Sequence, residues 1–219
     1  MSDVRGVLFD FGNTLFAHSS LATTIEVSCR ELGAPRSSQW AAELAVRVES
    51  AAHTAQELQH PRDLDARVWR ERWHVLYALA DDDVPGLGVQ IYARMHDPLR
   101  WLPYATTGAT LAAIHAEGVP IAVVSNTGWD VRTVFAAHHL DRFVSAYALS
   151  YEVGLVKPAA GIFEFACDAI GMPTKDCLMV GDDARADSGA VAAGLRVLLV
   201  PVQPAGTDNG VDAAARIVA

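Results

Sequence analysis

Lysine is scarce in this sequence: only Lys157 and Lys175 occur among 219 residues, and there is no Lys- or Arg-rich run. With a formal net charge of −9, the chain has no electrostatic footprint for a nucleic acid or an anionic membrane surface as partner. An anionic ligand must then be met locally, by a few well-placed groups. Long apolar runs are missing as well. None reaches the ~18 residues of a membrane span, and no basic stretch followed by an apolar segment marks a signal peptide, so a cytoplasmic protein is expected. Cysteine is also sparse. Cys29, Cys167 and Cys177 are odd in number and lack metal-ligand spacing, which argues against a disulfide framework or a zinc site and leaves them as packing residues.

What is present is apolar material for a sizeable core, 51% of the residues. Val4 to Phe9 reads as a buried strand that runs into the turn-rich Asp10-Phe11-Gly12-Asn13-Thr14. From about Ser20 to Met95 the period changes to that of helices. Leu21, Ile25, Cys29 and Leu32 share one face, as do Trp40, Leu44, Val48, Ala52 and Ala55. His60-Pro61 interrupts the pattern, a third helix carries Leu64, Val68, Trp69, Trp73 and Leu76, and a fourth carries Leu87, Ile91 and Met95. Beyond Pro98 and Pro103 helix and strand alternate. The expected helices are Thr107 to Glu117, Trp129 to Leu140, Ala159 to Ile170 and Ala184 to Ala193, and the expected strands Val119 to Val124, Ala146 to Ser150, Cys177 to Val180 and Arg196 to Val200. Val211 to Ala219 reads as either a short strand or a helix. Alternation of this kind implies a parallel sheet covered on both faces. The fold class expected is therefore α/β: a doubly wound, Rossmann-like core from residues 1–16 and 100–219, with an all-helical cap inserted over residues 17–99.

In such a sheet ligands gather beyond the carboxyl ends of the strands. The residues delivered there are Asp10, then Ser125-Asn126, then Gly181-Asp182-Asp183 with Asp187 beyond, while Lys157-Pro158 precedes a core helix. Carboxylates converging at one edge repel one another unless a cation neutralises them. All the candidate ligands are oxygens, which suits Mg²⁺. Lys157 would supply charge for a transferring group and the Ser125 hydroxyl a donor, with loop amides near Phe11 and Asn126 completing an anion cradle. Asp10 is a competent nucleophile, since a carboxylate needs no deprotonation at neutral pH.

These four segments, in this order, resemble the four motifs of the haloacid dehalogenase superfamily: Phe9-Asp10-Phe11-Gly12-Asn13-Thr14-Leu15, Ser125-Asn126, Lys157-Pro158, and Gly181-Asp182-Asp183-Ala184-Arg185-Ala186-Asp187. The resemblance implies an Mg²⁺-dependent phosphohydrolase acting on a small phosphorylated molecule through an aspartyl phosphate. By it Asp10 is the nucleophile, and Ser125 and Lys157 hold the phosphoryl group beside Phe11, Gly12, Thr14 and Asn126. Asp10, Asp182, Asp187 and the Gly12 carbonyl serve the metal. Asp183 is left open between an outer metal role and capping of its loop.

One position departs from the pattern. Phosphatases of this superfamily carry Asp two residues after the nucleophile, to protonate the leaving oxygen, and this chain has Gly12. General acid catalysis is worth about 10²- to 10⁴-fold, so a poor leaving group should suffer more than a good one. Three readings follow: a phosphohydrolase for activated leaving groups or one that borrows an acid from the cap, a binding or regulatory module with little turnover, and another reaction on the same scaffold, such as dehalogenation. His53, His60, His74 and His96 are expected to be surface or partly packed, Trp40, Trp69 and Trp73 to fill the helical bundle, and Asp81-Asp82-Asp83 to be a solvated loop. The oligomeric state and the substrate are not encoded legibly.

Overall fold

The computed structural model describes residues 4–219; residues 1–3 of the expected core lie outside the described residues. The chain enters on β1 (Gly6–Phe9) and a short β2 (Phe16–His18). It continues through helices α1 (Leu21–Glu31), α2 (Ser38–Ala52), α3 (Ala66–Tyr77) and α4 (Leu87–Met95), then returns on β3 (Trp101–Pro103). Alternation follows: α5 (Thr107–Ala116), β4 (Ile121–Ser125), α6 (Arg132–Ala137), β5 (Ala146–Leu149), α7 (Ser150–Val153), α8 (Ala160–Ala169), β6 (Cys177–Gly181), β7 (Arg196–Leu199) and α9 (Ala213–Val218).

Five strands form one parallel sheet in the order β5-β4-β1-β6-β7, the Rossmann-like arrangement expected from the alternation. Both faces are dry because the side-chain period of a strand is two. Val7 and Phe9 join Ile121, Val123, Leu178 and Val180 in a core with residues of α5, α6 and α9. Leu8, Ala122, Val124 and Met179 point the other way, into a core with Ile162, Phe163 and Ala166 of α8. Apolar runs without polar alternation are what a two-sided burial requires. Cys29, Cys167 and Cys177 are free and buried.

The segment between β2 and β3 has a core of its own, in which Ile25, Leu44, Val48, Leu76, Leu87 and Ile91 meet. Its helices start where side chains accept otherwise unpaired amide protons: Ser20 from Thr23, Ser37 from Trp40, and Asp65 from Arg67 and Val68. In the 81–83 loop, Asp81 likewise accepts from the Gly88 amide at 2.8 Å. β2 and β3 pair antiparallel at the base of this segment, Phe16 opposite Pro103 and His18 opposite Trp101. Strands of three residues carry too little periodicity to be read from sequence, and this ribbon is not predicted by it.

Two expected helices are shorter than their apolar patterns. Residues 129–140 are α-helical only over α6, because Asp130 turns back to accept from the Arg132 amide at 3.0 Å. Residues 184–193 form only 3₁₀ turns, from Asp187 to Ala193, because the Asp183 carboxylate captures the Arg185 and Ala186 amides. Val211 to Ala219 resolves as the helix α9.

The helical segment presses on the core at Gly128. A Cβ there would fall 2.3 Å from the Trp69 Cβ and 2.9 Å from the Arg62 carbonyl oxygen. Nearby, the Ser150 hydroxyl donates to the Asp63 carbonyl at 2.5 Å. Gly128→Ala must therefore displace α3 from the loop after β4, at a cost of about 1–3 kcal/mol. Thermal melting should register this as a fall of about 2–4 °C per kcal/mol. An unchanged melting temperature would show that the helices do not bear on this loop.

Candidate active site

β1 is the centre of the sheet, with β4 on one side and β6 on the other. Chain order reverses around it, which makes the crevice beyond its carboxyl end a topological switch point. Phe9 lies level with Val123 and Val180, so Asp10, Ser125 and Asp182 leave adjacent strands at nearly the same height. The Asp10 amide continues the ladder, donating to the Val180 carbonyl at 2.9 Å. The nucleophile candidate thus stands on backbone that the sheet itself fixes.

Lys157 arrives from the loop before α8 and is buried. Its Nζ donates to Asp10 Oδ1 at 2.5 Å and to Asp187 Oδ1 at 2.7 Å. One oxygen from each of Asp10, Asp182 and Asp187 lies within 4.8 Å of the others. Burial pushes all three carboxyls above the usual carboxylate range, against the pull of Lys157, and their mutual repulsion adds to the rise. Burial by itself would drive the Lys157 ammonium down, but Asp10 and Asp187 outweigh it and hold it above its ordinary value.

The remaining residues singled out from the sequence divide into two groups. Phe11, Gly12, Ser125 and Asn126 line the same cavity as Asp10, Lys157 and Asp182. Asn126 also holds Lys157 in place, accepting from its amide at 2.7 Å and donating to its carbonyl at 2.9 Å. Thr14 is buried beneath the carboxylates and does not line the cavity; its hydroxyl lies 3.1 Å from Asp182 Oδ1 and 3.4 Å from Asp10 Oδ2, as donor. Asp183 stands outside the oxygen cluster. Its carboxylate caps the Arg185 and Ala186 amides, and its own amide donates to Asp187 Oδ2 at 3.0 Å. Gly181 is required for that packing, since a Cβ there would fall 2.1 Å from Asp187 Oδ2.

Asn209 is a contributor that sequence reasoning missed. It is buried in the loop before α9 and donates to the Thr14 carbonyl at 3.0 Å, bracing the turn after Asp10 from 195 residues away. A polar residue in a Gly/Pro-rich stretch gives no sequence signal for such a role.

Above the carboxylates lies a cavity of about 370 Å³, closed on its far side by Trp69, Trp73, Tyr77 and Met95 of the helical segment. Trp69 departs from the expectation that it fills the bundle, whereas Trp73 meets it in part, packing against the bundle core while also lining the cavity. Both border the cavity from α3, as does Tyr77, which with Leu76 belongs to the bundle's core. Trp40 does pack at the bundle, with the Arg36 guanidinium 5.6 Å from its ring centre. His96 is partly packed: its Nε2 accepts from Trp69 Nε1 at 2.9 Å while Nδ1 faces the Tyr92 carbonyl. Burial holds its pKa below the ordinary imidazole value.

Three carboxylates against one ammonium leave two negative charges in excess inside a buried pocket. The donor atoms are all oxygen. A hard divalent cation suits both facts, since it would offset the cost of burying the carboxylates and their mutual repulsion.

Comparison with known proteins agrees with this arrangement. A hydrolase of Schizosaccharomyces pombe of uncharacterized function is 34% identical over 76 residues, 32% of this chain and 33% of that one. The Drosophila melanogaster protein named "Probable pseudouridine-5'-phosphatase" is 32% identical over 99 residues, 42% of each chain. The chain thus spans less than half the length of these curated relatives. Among solved structures, a dehalogenase superposes with a TM-score of 0.69 over 96% of this chain and 90% of its own, a likeness of fold at 21% identity. The description "haloacid dehalogenase-like hydrolase" matches residues 4–194. With the matched span reaching from β1 past Asp187, and so holding the whole carboxylate-lysine cluster, the chain belongs to the haloacid dehalogenase-like hydrolases.

Proposed function

We propose that this hydrolase is an Mg²⁺-dependent phosphohydrolase that transfers the phosphoryl group of a small substrate to Asp10 and then releases it to water. The observation that carries the reading is the Asp10 carboxylate fixed against Lys157, beside Asp182 and Asp187. A Drosophila relative named for phosphatase activity supports it. Asp10 Oδ attacks phosphorus while Lys157 Nζ, the Ser125 hydroxyl and the amides of the loops after β1 and β4 hold the equatorial oxygens. Asp10, Asp182, Asp187 and the Gly12 carbonyl would hold the magnesium, which when bound supplies positive charge for phosphoryl oxygens approaching an anionic site. Asp183 braces Asp187. Thr14, beneath the cavity, positions the two carboxylates it faces rather than touching the phosphoryl group. Residues 17–99 act as a cap over a core of residues 1–16 and 100–219, excluding bulk water during transfer.

No acid stands ready for the leaving oxygen. Among the described residues, the helical segment brings no carboxylate and no imidazole to the reaction chamber. Its one ionisable side chain there is Tyr77, whose hydroxyl burial pushes well above the ordinary range. Departure is therefore unassisted, and substrates with activated leaving groups are favoured.

Phosphate release from p-nitrophenyl phosphate with Mg²⁺ should fall to background in Asp10→Asn; steady release by that variant would remove Asp10 as nucleophile. Ligand-dependent stabilisation of the unaltered protein without any turnover would instead favour a binding module. Gly12→Asp tests the missing acid, because the nearest atom to a Cβ at this position is Trp101 Cζ3, 3.7 Å away, and the side chain has room. Turnover of alkyl phosphates should rise by about 10²- to 10⁴-fold. No gain in a folded, Mg²⁺-binding variant would mean that more than the acid is absent. Finally, Mg²⁺ at about 100 times its Kd should stabilise the protein by about 2.7 kcal/mol, read as several degrees in Tm. The rise should vanish in Asp182→Asn, and its persistence there would place the ion elsewhere.

A further inference from the structure

Four of the five tryptophans of this chain, Trp69, Trp73, Trp101 and Trp129, line the reaction chamber. That chamber adjoins a second one of about 340 Å³, the two sharing Gly12, Asn13, Trp73, Tyr77, Met95 and Trp101 as common wall. At Gly12, which lines both chambers, a Cβ would meet Trp101 Cζ3 at 3.7 Å and, its chain neighbours aside, no other atom within 4 Å. The same glycine that removes the acid thus leaves space open beside the scissile bond.

Charge narrows what fits. Among the described residues, Lys157 is the one Lys or Arg lining either chamber. His18 in the second chamber has both ring nitrogens directed at backbone carbonyls, of Ser19 at 2.8 Å and Arg94 at 3.1 Å, and the exposed Glu49 adds a negative charge there. A substrate with a second phosphate or a carboxylate would find no cation to meet it.

We propose that the leaving group is an uncharged planar aromatic alcohol, seated at the junction of the two chambers between Trp73 and Trp101. The assignment rests on the phosphohydrolase reading above and names its substrate class. Aromatic side chains favour planar partners through edge-to-face and offset contacts. The chemistry agrees with the walls: an Asp10 Oδ–P bond forms, the P–O(aryl) bond breaks, and the aryloxide leaves with the electron pair, stable enough to depart before water protonates it. Water then cleaves the acyl phosphate, restoring Asp10 and releasing inorganic phosphate.

The test compares 1-naphthyl phosphate, acetyl phosphate and uridine 5′-monophosphate as substrates with Mg²⁺. It also compares 1-naphthylmethylphosphonate with methylphosphonate in calorimetric titrations. The aryl ester should exceed the nucleotide, an alkyl ester, by about 100-fold or more in kcat/KM. The naphthyl phosphonate should bind about 10-fold tighter than the methyl one. Trp73→Leu should lower the preference for 1-naphthyl over acetyl phosphate by about 10-fold, and Trp73→Phe should keep it. Equal loss on both substrates in Trp73→Leu, or a nucleotide turned over as well as the aryl ester, would overturn the assignment. Phosphate release without any aromatic preference sinks this inference and leaves the phosphohydrolase reading standing. Selective naphthyl binding without release from any substrate overturns the phosphohydrolase reading, and the leaving-group assignment with it, and leaves a seat for aromatic ligands alone.

Discussion

Carboxylates at the carboxyl edge of a parallel sheet repel, and the structure of this protein is organised around containing that repulsion. Asp10, Asp182 and Asp187 meet in a crevice where burial raises the carboxyl pKa values, and one ammonium, Lys157, bridges two of them. The Coulomb attraction of Lys157 is strong there because little water screens it, and the same low screening makes the leftover negative charge costly. A site in this condition is poised for cations and for anions that arrive with them. Its chemistry follows from charge placed before any ligand binds.

Holding such a cluster requires a rigid surround, and most of the polar contacts near the site serve that end. The ladder fixes Asp10 through the Val180 carbonyl, Asn126 clamps the Lys157 backbone from both sides, and Asp183 supplies an amide to Asp187 while capping its own turn. Thr14 and Asn209 brace the loop after β1 from beneath. None of these groups needs to touch a substrate to matter. They act by fixing the positions of the charged groups in advance.

The helical segment contributes a different property. It presents indole and phenol rings to the chamber and no cation or carboxylic acid among the described residues. Together with Gly12 it gives the site an apolar exit beside a strongly ionic centre. The core thus carries the ionic cluster while the helices between β2 and β3 supply the aromatic wall facing it.

Much of this was legible in the linear chain. The apolar runs ending in Asp10, Ser125 and Gly181 required buried strands, alternation with helices required a parallel sheet, and Lys157, one of two lysines in an acidic chain, stood out as a candidate that the structure places between Asp10 and Asp187. The strand and sheet inferences hold because period and composition act locally. What the sequence could not rank was any relation set by distance in space. Only the folded chain brought Asn209 against Thr14, turned Asp183 away from the oxygen cluster, and placed Trp69 and one side of Trp73 along the cavity. The residues at the strand tips were determined by sequence, because a strand delivers its next residue to a known edge. The walls around them were decided by tertiary packing, because which face of a helix meets a neighbour depends on the neighbour.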